Sequence, residues 1–493
     1  MAAGKGSNQW RTLDKDLGRI GQLELATQYV ARPMVGMGIA LAFIVIAAFV
    51  ASLFFGQSPT NYVVVAAAAF GAYMALNIGA NDVANNMGPA VGANALTMGG
   101  AIVIAALFES FGALFAGGDV VSTISKGIID PHSVEDGNVF IWAMMAALIS
   151  SALWVNLATW IGAPVSTTHS VVGGVMGAGV AAAGMSAVNW SSMGAIAASW
   201  VISPVLGGVI AAGFLAFIKR HIIYVDDKIA AARRWVPVLI AIMAGAFAAY
   251  LSVKGFKHIV TIDLPTALLI GVGVGAVTYV ISAPLIRRQS EGMENRNKSL
   301  KSLFAVPLVI SAALLSFAHG ANDVANAVGP LAAIVHAESL GEFAGQVSIP
   351  IWVMIIGAFG ISFGLMLFGP KLIRMVGSQI TKLNPMRAYC VALSAAITVI
   401  VASWLGLPVS STHIAVGGVF GVGFYREWHT TRRRRLANNS RPDGKRLPAE
   451  ELRRRKLVRR SHFMTVVAAW VITVPAAALM SGLIYWLLSA TMM

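Results

Sequence analysis

Apolar stretches of about 20 residues recur along the whole chain, separated by shorter polar stretches. Each apolar stretch is long enough to cross the hydrocarbon core of a bilayer as an α-helix. The pattern therefore predicts an all-α polytopic membrane protein with about 12 or 13 transmembrane segments. The predicted segments are 34–55, 60–80, 97–117, 138–160, 164–184, 193–218, 235–253, 264–285, 304–321, 349–369, 386–405, 408–424 and 463–489.

Two polar motifs interrupt the apolar pattern, and each of them occurs twice. Residues 79–85 read GANDVAN, and the same seven letters recur at 320–326. Residues 164–169 read PVSTTH, and residues 408–413 read PVSSTH. Because the two pairs keep the same order at nearly the same offset, the chain contains an internal duplication.

The two copies are predicted to have opposite orientations in the membrane. The first acidic motif ends the second segment and the second copy ends the ninth, so an odd number of crossings separates them. Inverted repeats whose helices are interrupted by Gly and Pro at matching places are typical of secondary transporters, with the site near the bilayer midplane. This count takes 164–184 and 408–424 as full crossings; the alternative is that they are re-entrant half-helices.

The basic residues are concentrated in alternate connections. Of the 36 Lys and Arg residues, 33 lie in such connections, and the opposite side keeps only Lys126, Lys254 and Lys257. The positive-inside rule then places the N-terminus in the cytoplasm and the C-terminus outside a plasma membrane, which in a bacterium is the inner membrane. The net charge of +15 is thus explained by topology. We interpret the run at 432–435 as a solvated or lipid-contacting loop and not as a nucleic-acid site.

The duplication divides the chain into five regions. We predict a cytoplasmic segment at 1–33, an additional N-terminal helix at 34–55 and a first inverted repeat with trailing helices at 60–285. A cytoplasmic linker at 286–303 then leads into the second inverted repeat at 304–490, which contains the basic cytoplasmic loop 425–461.

The proline motif has the composition of an anion site. Proline suits the first turn of a helix, and the residues after it offer backbone N–H groups, hydroxyls and the positive end of the helix dipole. Two such helix starts facing each other across an inverted repeat would hold a tetrahedral oxyanion from two sides. The alternative is that these hydroxyls only cap helices or join them. The predicted ligands are Ser166, Thr167, Thr168, Ser410, Ser411 and Thr412.

The GANDVAN motif has the composition of a cation site. Carboxylate, amide and carbonyl oxygens are the ligands of hard cations, and Gly79 and Gly320 are expected to let the helix break and expose carbonyls. Na⁺ fits this set, and a proton on an aspartate is the rival. Cations bound beside an anion would compensate its charge, so that each ligand strengthens the binding of the other. The predicted coupling residues are Asp82, Asn85, Asp323 and Asn326, while Asn81 and Asn322 are assigned to the anion.

Three further polar residues are accessory candidates, and one is a weaker candidate. Glu109 lies inside an apolar segment, where an acid is costly enough to indicate function; its nearest match in the second half is Gly357. His169 and His413 lie one turn past the helix starts and could bind the anion, carry a proton or simply pack. His319 is the weak candidate because Ile78 occupies the matching place in the first half.

Enzymatic functions are disfavoured by the sequence. Ser166 and His169 have no acidic partner that would orient a nucleophile–base pair, and the chain has no Walker-type phosphate loop. No Cys/His cluster predicts a metal cofactor, so the expected non-protein partners are the transported ions and membrane lipid.

At these motifs the chain resembles the inorganic phosphate transporter (PiT) family of sodium–phosphate symporters and phosphate permeases. Both family patterns, Gly-x-Asn-Asp-x-x-Asn and Pro-x-Ser-[Ser/Thr]-[Ser/Thr]-His, match in both halves, and 109–130 is also similar to the family. The resemblance covers about residues 60–490. It implies a homodimer, inorganic phosphate as the substrate, one phosphate site per protomer and cation sites at the Asn-Asp pairs. The segment 34–55 and the missing partner of Glu109 depart from the common pattern.

We therefore expect a secondary active symporter that imports inorganic phosphate together with a cation, Na⁺ or H⁺. Two alternatives remain: a sulfate permease of the same fold, and a passive anion channel. The acidic motifs argue against a channel, because a pore needs no site for a second ion.

Overall fold

The computed structural model describes residues 34–55, 61–130, 133–134, 137–161, 165–255, 262–340, 349–379, 383–438 and 460–492. In this part of the chain the structure consists of fifteen α-helices joined by short connections. They are α1 Met34–Phe55, α2 Asn61–Gly92, α3 Met98–Ala116, α4 Gly118–Lys126, α5 Gly137–Ile161, α6 Thr167–Ala183, α7 Trp190–Ile218, α8 Lys228–Lys254, α9 Leu264–Gln289, α10 Asn297–Leu303, α11 Ala305–Leu340, α12 Ile351–Gln379, α13 Pro385–Trp404, α14 Ser411–Asn438 and α15 Arg460–Met492.

Each of the thirteen predicted segments corresponds to one helix, and α4 and α10 lie in the connections between them. Eleven of the helices in the described ranges are long and apolar enough to span a bilayer, and α6 and α14 are not among them. Large apolar side chains of α1 and α9 remain exposed on the outer surface, as expected for helices in contact with lipid. The prediction of an all-α integral membrane protein is confirmed.

The two GANDVAN motifs lie inside continuous helices, which corrects one expectation. The sequence predicts a helix break at Gly79 and Gly320, but α2 and α11 continue through both glycines. The glycines instead permit close helix packing. A Cβ at Gly79 would lie 1.9 Å from the carbonyl oxygen of Ile361, and one at Gly320 would lie 2.1 Å from that of Glu109.

Helices α2 and α11 cross at the centre of the molecule and run in opposite directions. Gly71, early in α2, faces Leu331, late in α11. Farther along α2, Asp82 approaches His319, which lies earlier in α11. The long helices that begin the two predicted halves are therefore antiparallel.

The described residues of each proline motif, 165–169 and 408–413, lie at the tip of a helical hairpin. In the first hairpin, formed by α5 and α6, Ser151 donates a hydrogen bond to the carbonyl of Ser170. In the second, formed by α13 and α14, Gly418 packs on Ser394. The tips meet where Thr168 Oγ1 donates to the carbonyl oxygen of Val409, at 3.0 Å.

The direction of the hairpin arms bears on the two predicted topologies. The first arm of the first hairpin, α5, runs parallel to α2, because Asn77 contacts Asn156 and Asn81 farther on contacts Thr159. The first arm of the second hairpin, α13, runs parallel to α11, because Phe304 contacts Tyr389 and Asn322 farther on contacts Ser403. The two hairpins therefore point toward each other and meet inside the protein. Neither α6 nor α14 is among the helices of the described ranges that are long and apolar enough to span a bilayer. Both observations favour the re-entrant alternative for 164–184 and 408–424. The predicted side of each basic connection is unaffected, because a hairpin begins and ends on one side.

The second arm of each hairpin packs against the helix that follows the other hairpin. A Cβ at Gly173 of α6 would lie 2.7 Å from the carbonyl oxygen of Val474 in α15. A Cβ at Gly417 of α14 would lie 2.1 Å from that of Pro204 in α7. Small residues thus allow backbone contact at matched positions. Because α6 packs on α15 and α14 packs on α7, these contacts join the two halves. The boundaries of the predicted regions stay a prediction, and residues 1–33 and most of 425–461 lie outside the described residues.

Candidate functional site

Asp82 of α2 lies where both hairpin tips converge. Thr167, from the first hairpin, donates to its Oδ2 atom at 3.0 Å, and Thr412, from the second hairpin, donates to its Oδ1 atom at 3.0 Å. Asp82 is 1% exposed. One carboxylate therefore connects the two predicted halves of the anion site.

Asp323 occupies the matching place on α11. Ser411 donates to its Oδ2 atom at 3.3 Å, which repeats the contact between Thr167 and Asp82. The Nε2 atom of His319, one turn earlier on the same helix, lies 2.9 Å from the same oxygen. Asp82, His319 and Asp323 also place ligand atoms within 4.8 Å of one another, close enough to share a cation.

The motif amides contact the opposite hairpin. Asn85 donates to Thr412 at 2.7 Å, and Asn326 donates to Thr168 at 3.1 Å. Each asparagine thus contacts a hydroxyl of the other hairpin at a matched position. A shift of the second hairpin tip relative to α2, or of the first tip relative to α11, would break these hydrogen bonds.

The first amides of the two motifs hold the hairpin tips. Asn81 donates to Thr159 near the end of α5. Asn322 donates to Ser403 and to the carbonyl of Leu407, and its Oδ1 atom accepts from the N–H of Val409. The predicted contact of Asn81 and Asn322 with the anion stays a prediction.

The helix starts themselves are capped as expected for α6 and α14. Ser166 accepts from the N–H of His169 at 3.1 Å, and Ser410 accepts from the N–H of His413 at 3.3 Å. Both serines therefore have a structural role, which is the alternative considered for these hydroxyls. The two histidine rings contact each other edge to face, with 4.5 Å between their centroids, and His169 also packs on Trp200.

A second polar group, formed by Asn86, Glu109 and His319, lies next to Asp323. Glu109 of α3 lies 3.4 Å from the Nδ1 atom of His319 and accepts a hydrogen bond from Asn86 at 2.9 Å. Glu109 and His319 are fully buried. His319 thus bridges Glu109 to Asp323, so the residue that the sequence indicates only as a weak candidate lies between two of the buried carboxylates.

The matching place in the other half is apolar. The carbonyl of Glu109 faces Gly320, and the carbonyl of Ile361 faces Gly79 in the same way. Ile361 is therefore the counterpart of Glu109, and the match to Gly357 is wrong because Gly357 packs on Val324 and Val328. The other two polar residues of this group also match apolar residues: Ile78 is the counterpart of His319, and Ala327 is the counterpart of Asn86.

The electrostatics of the site favour cations. Three carboxylates, those of Asp82, Glu109 and Asp323, are buried around a single histidine. Among the described residues, the buried atoms Asp323 Oδ1, Asn326 Oδ1 and Asn86 Oδ1 accept no hydrogen bond. Buried oxygens of this kind are suited to ligate a hard cation. An anion placed at the helix starts would be repelled by the carboxylates unless cations accompany it.

A buried polar site at the meeting point of two helical hairpins is typical of a membrane transporter. The sequence profile of the phosphate transporter family matches residues 78–481, and the chain belongs to this family.

Curated relatives agree with this assignment. A protein of Helicobacter pylori (strain J99) is 44% identical over 95% of this chain and 98% of its own length. A protein of Pyrococcus abyssi is 36% identical over 85% of this chain and 96% of its own. Both are named "Putative phosphate permease". A solved structure titled "The sodium-dependent phosphate transporter" superposes with a TM-score of 0.79 at 34% identity, covering 87% of this chain and all of that one.

Proposed function

We propose that this protein is a symporter that imports inorganic phosphate together with Na⁺. One observation carries the proposal: the two helix starts suited to an oxyanion are lined by buried carboxylates, and Asp82 contacts both of them. The buried carboxylates would repel a phosphate ion bound there unless cations bind with it. Phosphate entry and cation entry are then coupled by electrostatics alone.

In this proposal each half contributes one set of cation ligands. Asp82 and Asn85 supply oxygens from α2, and Asp323 and Asn326 supply them from α11. The hydroxyls of Thr167, Thr168, Ser411 and Thr412, with the backbone N–H groups of both helix starts, would turn from their present acceptors toward the phosphate oxygens. Na⁺ is favoured because it needs several neutral and charged oxygens, and because the solved relative is titled sodium-dependent.

Proton coupling is the second candidate, and the position of His319 is the observation that favours it. The ring bridges Asp323 and Glu109, and such a chain of titratable groups is suited to hold a proton inside a membrane. Under this alternative the proton would occupy the His319–Glu109 side, which has no equivalent in the other half.

The assembly and orientation are also proposals. The protein would reside in the plasma membrane, the bacterial inner membrane, with its basic connections in the cytoplasm, and it would form a homodimer. Its exposed apolar helices, such as α1 and α9, would face lipid or the second protomer.

The experiment is radiolabelled phosphate uptake into proteoliposomes under an imposed Na⁺ gradient or an imposed H⁺ gradient, with excess sulfate as a competitor. Uptake that follows the Na⁺ gradient and ignores sulfate supports the proposal. Uptake that follows only the H⁺ gradient supports the second candidate. Strong sulfate competition, or equilibration that needs no gradient, would favour a sulfate permease or an anion channel.

A further inference from the structure

Two adjoining pockets lie at the basic end of the molecule, where α7 and α14 end and α10 and α13 begin. They share Lys219, in the π-helical turn that follows α7. The smaller pocket has a volume of about 160 Å³ and the larger about 740 Å³. Neither takes part in the transport site.

The smaller pocket is lined by four cationic side chains and no acidic one: Lys219, Lys301, Arg387 and Arg426. Lys219, Arg387 and Arg426 are only partly exposed. The partial burial of Arg426 lowers the pKa of its guanidinium. Asn297 and Asn384 add polar side chains to the lining. Cations held together in this way are stabilised by a multiply charged anion, and guanidinium groups match phosphate oxygens in geometry.

The larger pocket is aromatic as well as basic. Lys219 lies over the ring of Tyr425, 4.9 Å from its centroid, and Arg432 lies over the ring of Trp428, at 5.4 Å. Tyr224 is stacked on His429 at an angle of 8°. Such a surface accommodates an apolar or aromatic group, while its cations remain directed toward an anion.

We propose that the two pockets together bind a phosphate-bearing organic ligand, with its phosphate in the smaller pocket and its organic part in the larger one. Two sources share this chemistry. One is the headgroup of an anionic phospholipid, since basic pockets between helices at the cytoplasmic face bind such headgroups. The other is a soluble phosphate ester such as a nucleotide.

The pockets connect to the transport site through α14. Arg426 lies 15 residues after Ser411 on this helix, about 22 Å along its axis. Helix α13, which begins beside Arg387, leads to the loop that Asn322 holds. A ligand that joins α7, α13 and α14 would thus contact both arms of the second hairpin. The binding proposal itself does not depend on which ion is transported.

The test measures thermal unfolding of the purified full-length protein in detergent during separate titrations with short-chain phosphatidylglycerol, short-chain phosphatidylcholine and ATP. We expect phosphatidylglycerol or ATP to raise the unfolding midpoint with saturation, and phosphatidylcholine to have no such effect. Saturation by the lipid identifies a headgroup site, and saturation by ATP identifies a site for soluble esters.

Variants then locate the binding. The double substitution Arg387→Gln with Arg426→Gln should raise the half-saturating concentration by at least about tenfold, or about 1.4 kcal/mol. Lys219 lines both pockets, so Lys219→Gln should also raise the half-saturating concentration. This single variant replaces the double variant if the latter does not fold. Arg288→Gln is the matched control, because Arg288 is an exposed cation outside both pockets. Equal shifts in all variants, or no saturable shift with either probe, would overturn the proposal.

Discussion

At the scale of residues, the site is symmetric at its two motif aspartates and asymmetric around them. Thr167 meets Asp82 as Ser411 meets Asp323. Only one half adds the buried group of Asn86, Glu109 and His319. A cation on that side therefore lies beside one more carboxylate than a cation on the other side, so the two predicted cation positions are not equivalent.

Replacing either motif aspartate should abolish coupled uptake. Asp82→Asn and Asp323→Asn each remove one buried negative charge and one cation ligand while keeping the shape of the side chain. We expect phosphate uptake to fall by at least about tenfold, within the usual range of coupling free energies. Uptake into proteoliposomes measures this, and size-exclusion chromatography reports folding. Wild-type uptake by either variant would contradict the cation assignment.

The asymmetric group can be removed by copying the other half. The triple variant Asn86→Ala, Glu109→Ile and His319→Ile introduces the residues that the chain itself has at the matching places. Because that apolar set already packs in this fold, we expect normal expression and thermal stability but a loss of uptake of about tenfold or more. The single variant His319→Ile is expected to be less stable, because it leaves Glu109 buried beside an apolar side chain. Full uptake by the triple variant would show that the asymmetric group is dispensable.

At the scale of elements, two features decide the architecture: glycine contacts at helix crossings and asparagines that hold the hairpin tips. Both recur at matched positions in the two halves. The glycines and asparagines are visible in the sequence, but their packing and hydrogen-bond partners are not, because these depend on which helix lies opposite.

The crossing of α11 and α3 should not tolerate a methyl group. Gly320→Ala would place a Cβ 2.1 Å from the carbonyl oxygen of Glu109, which is far inside van der Waals contact. We expect a loss of folded protein or of about 1–3 kcal/mol of stability. Gly99→Ala is the matched control, since nothing lies within 4 Å of its Cβ position. Similar melting curves for both variants would refute the packing role.

Asn322 should stabilise the second tip more than its partner Ser403 does. Asn322→Ala removes three hydrogen bonds. Two of them are to backbone groups of the tip, the N–H of Val409 and the carbonyl of Leu407. We expect a cost of about 1–3 kcal/mol for the buried groups. Ser403→Ala, which removes one of the three, should cost less. A larger effect of Ser403→Ala in thermal unfolding would be inconsistent with this role.

At the scale of the whole molecule, the sequence predicts much of the fold. The thirteen apolar segments and the duplication are visible in the residue pattern, because a bilayer imposes length and hydropathy on each helix. The sequence does not decide whether the hairpins turn back, because segment length alone does not separate a full crossing from an arm that turns back. Comparison of the two halves does not point to His319, because Ile78 occupies the matching place. The position of His319 four residues before Asp323, on the same helix face, was the available signal.

The predicted orientation can be tested with single cysteines, because the natural Cys390 is buried. Asp263 and Glu291 are both exposed and lie at opposite ends of α9. We expect Asp263→Cys to react with a membrane-impermeant thiol reagent in intact cells, and Glu291→Cys to react only after permeabilisation. The reverse pattern would place the basic connections outside.

If phosphate binds in its site only together with cations, equilibrium binding of phosphate should depend on the cation present. Radiolabelled phosphate binding to the purified protein should be compared in sodium and in choline salts, at acidic and at alkaline pH. We expect Na⁺ to tighten phosphate binding by about tenfold to a hundredfold, and Asp82→Asn to reduce this dependence. The same phosphate affinity in all four conditions would show that phosphate binds without a coupled cation.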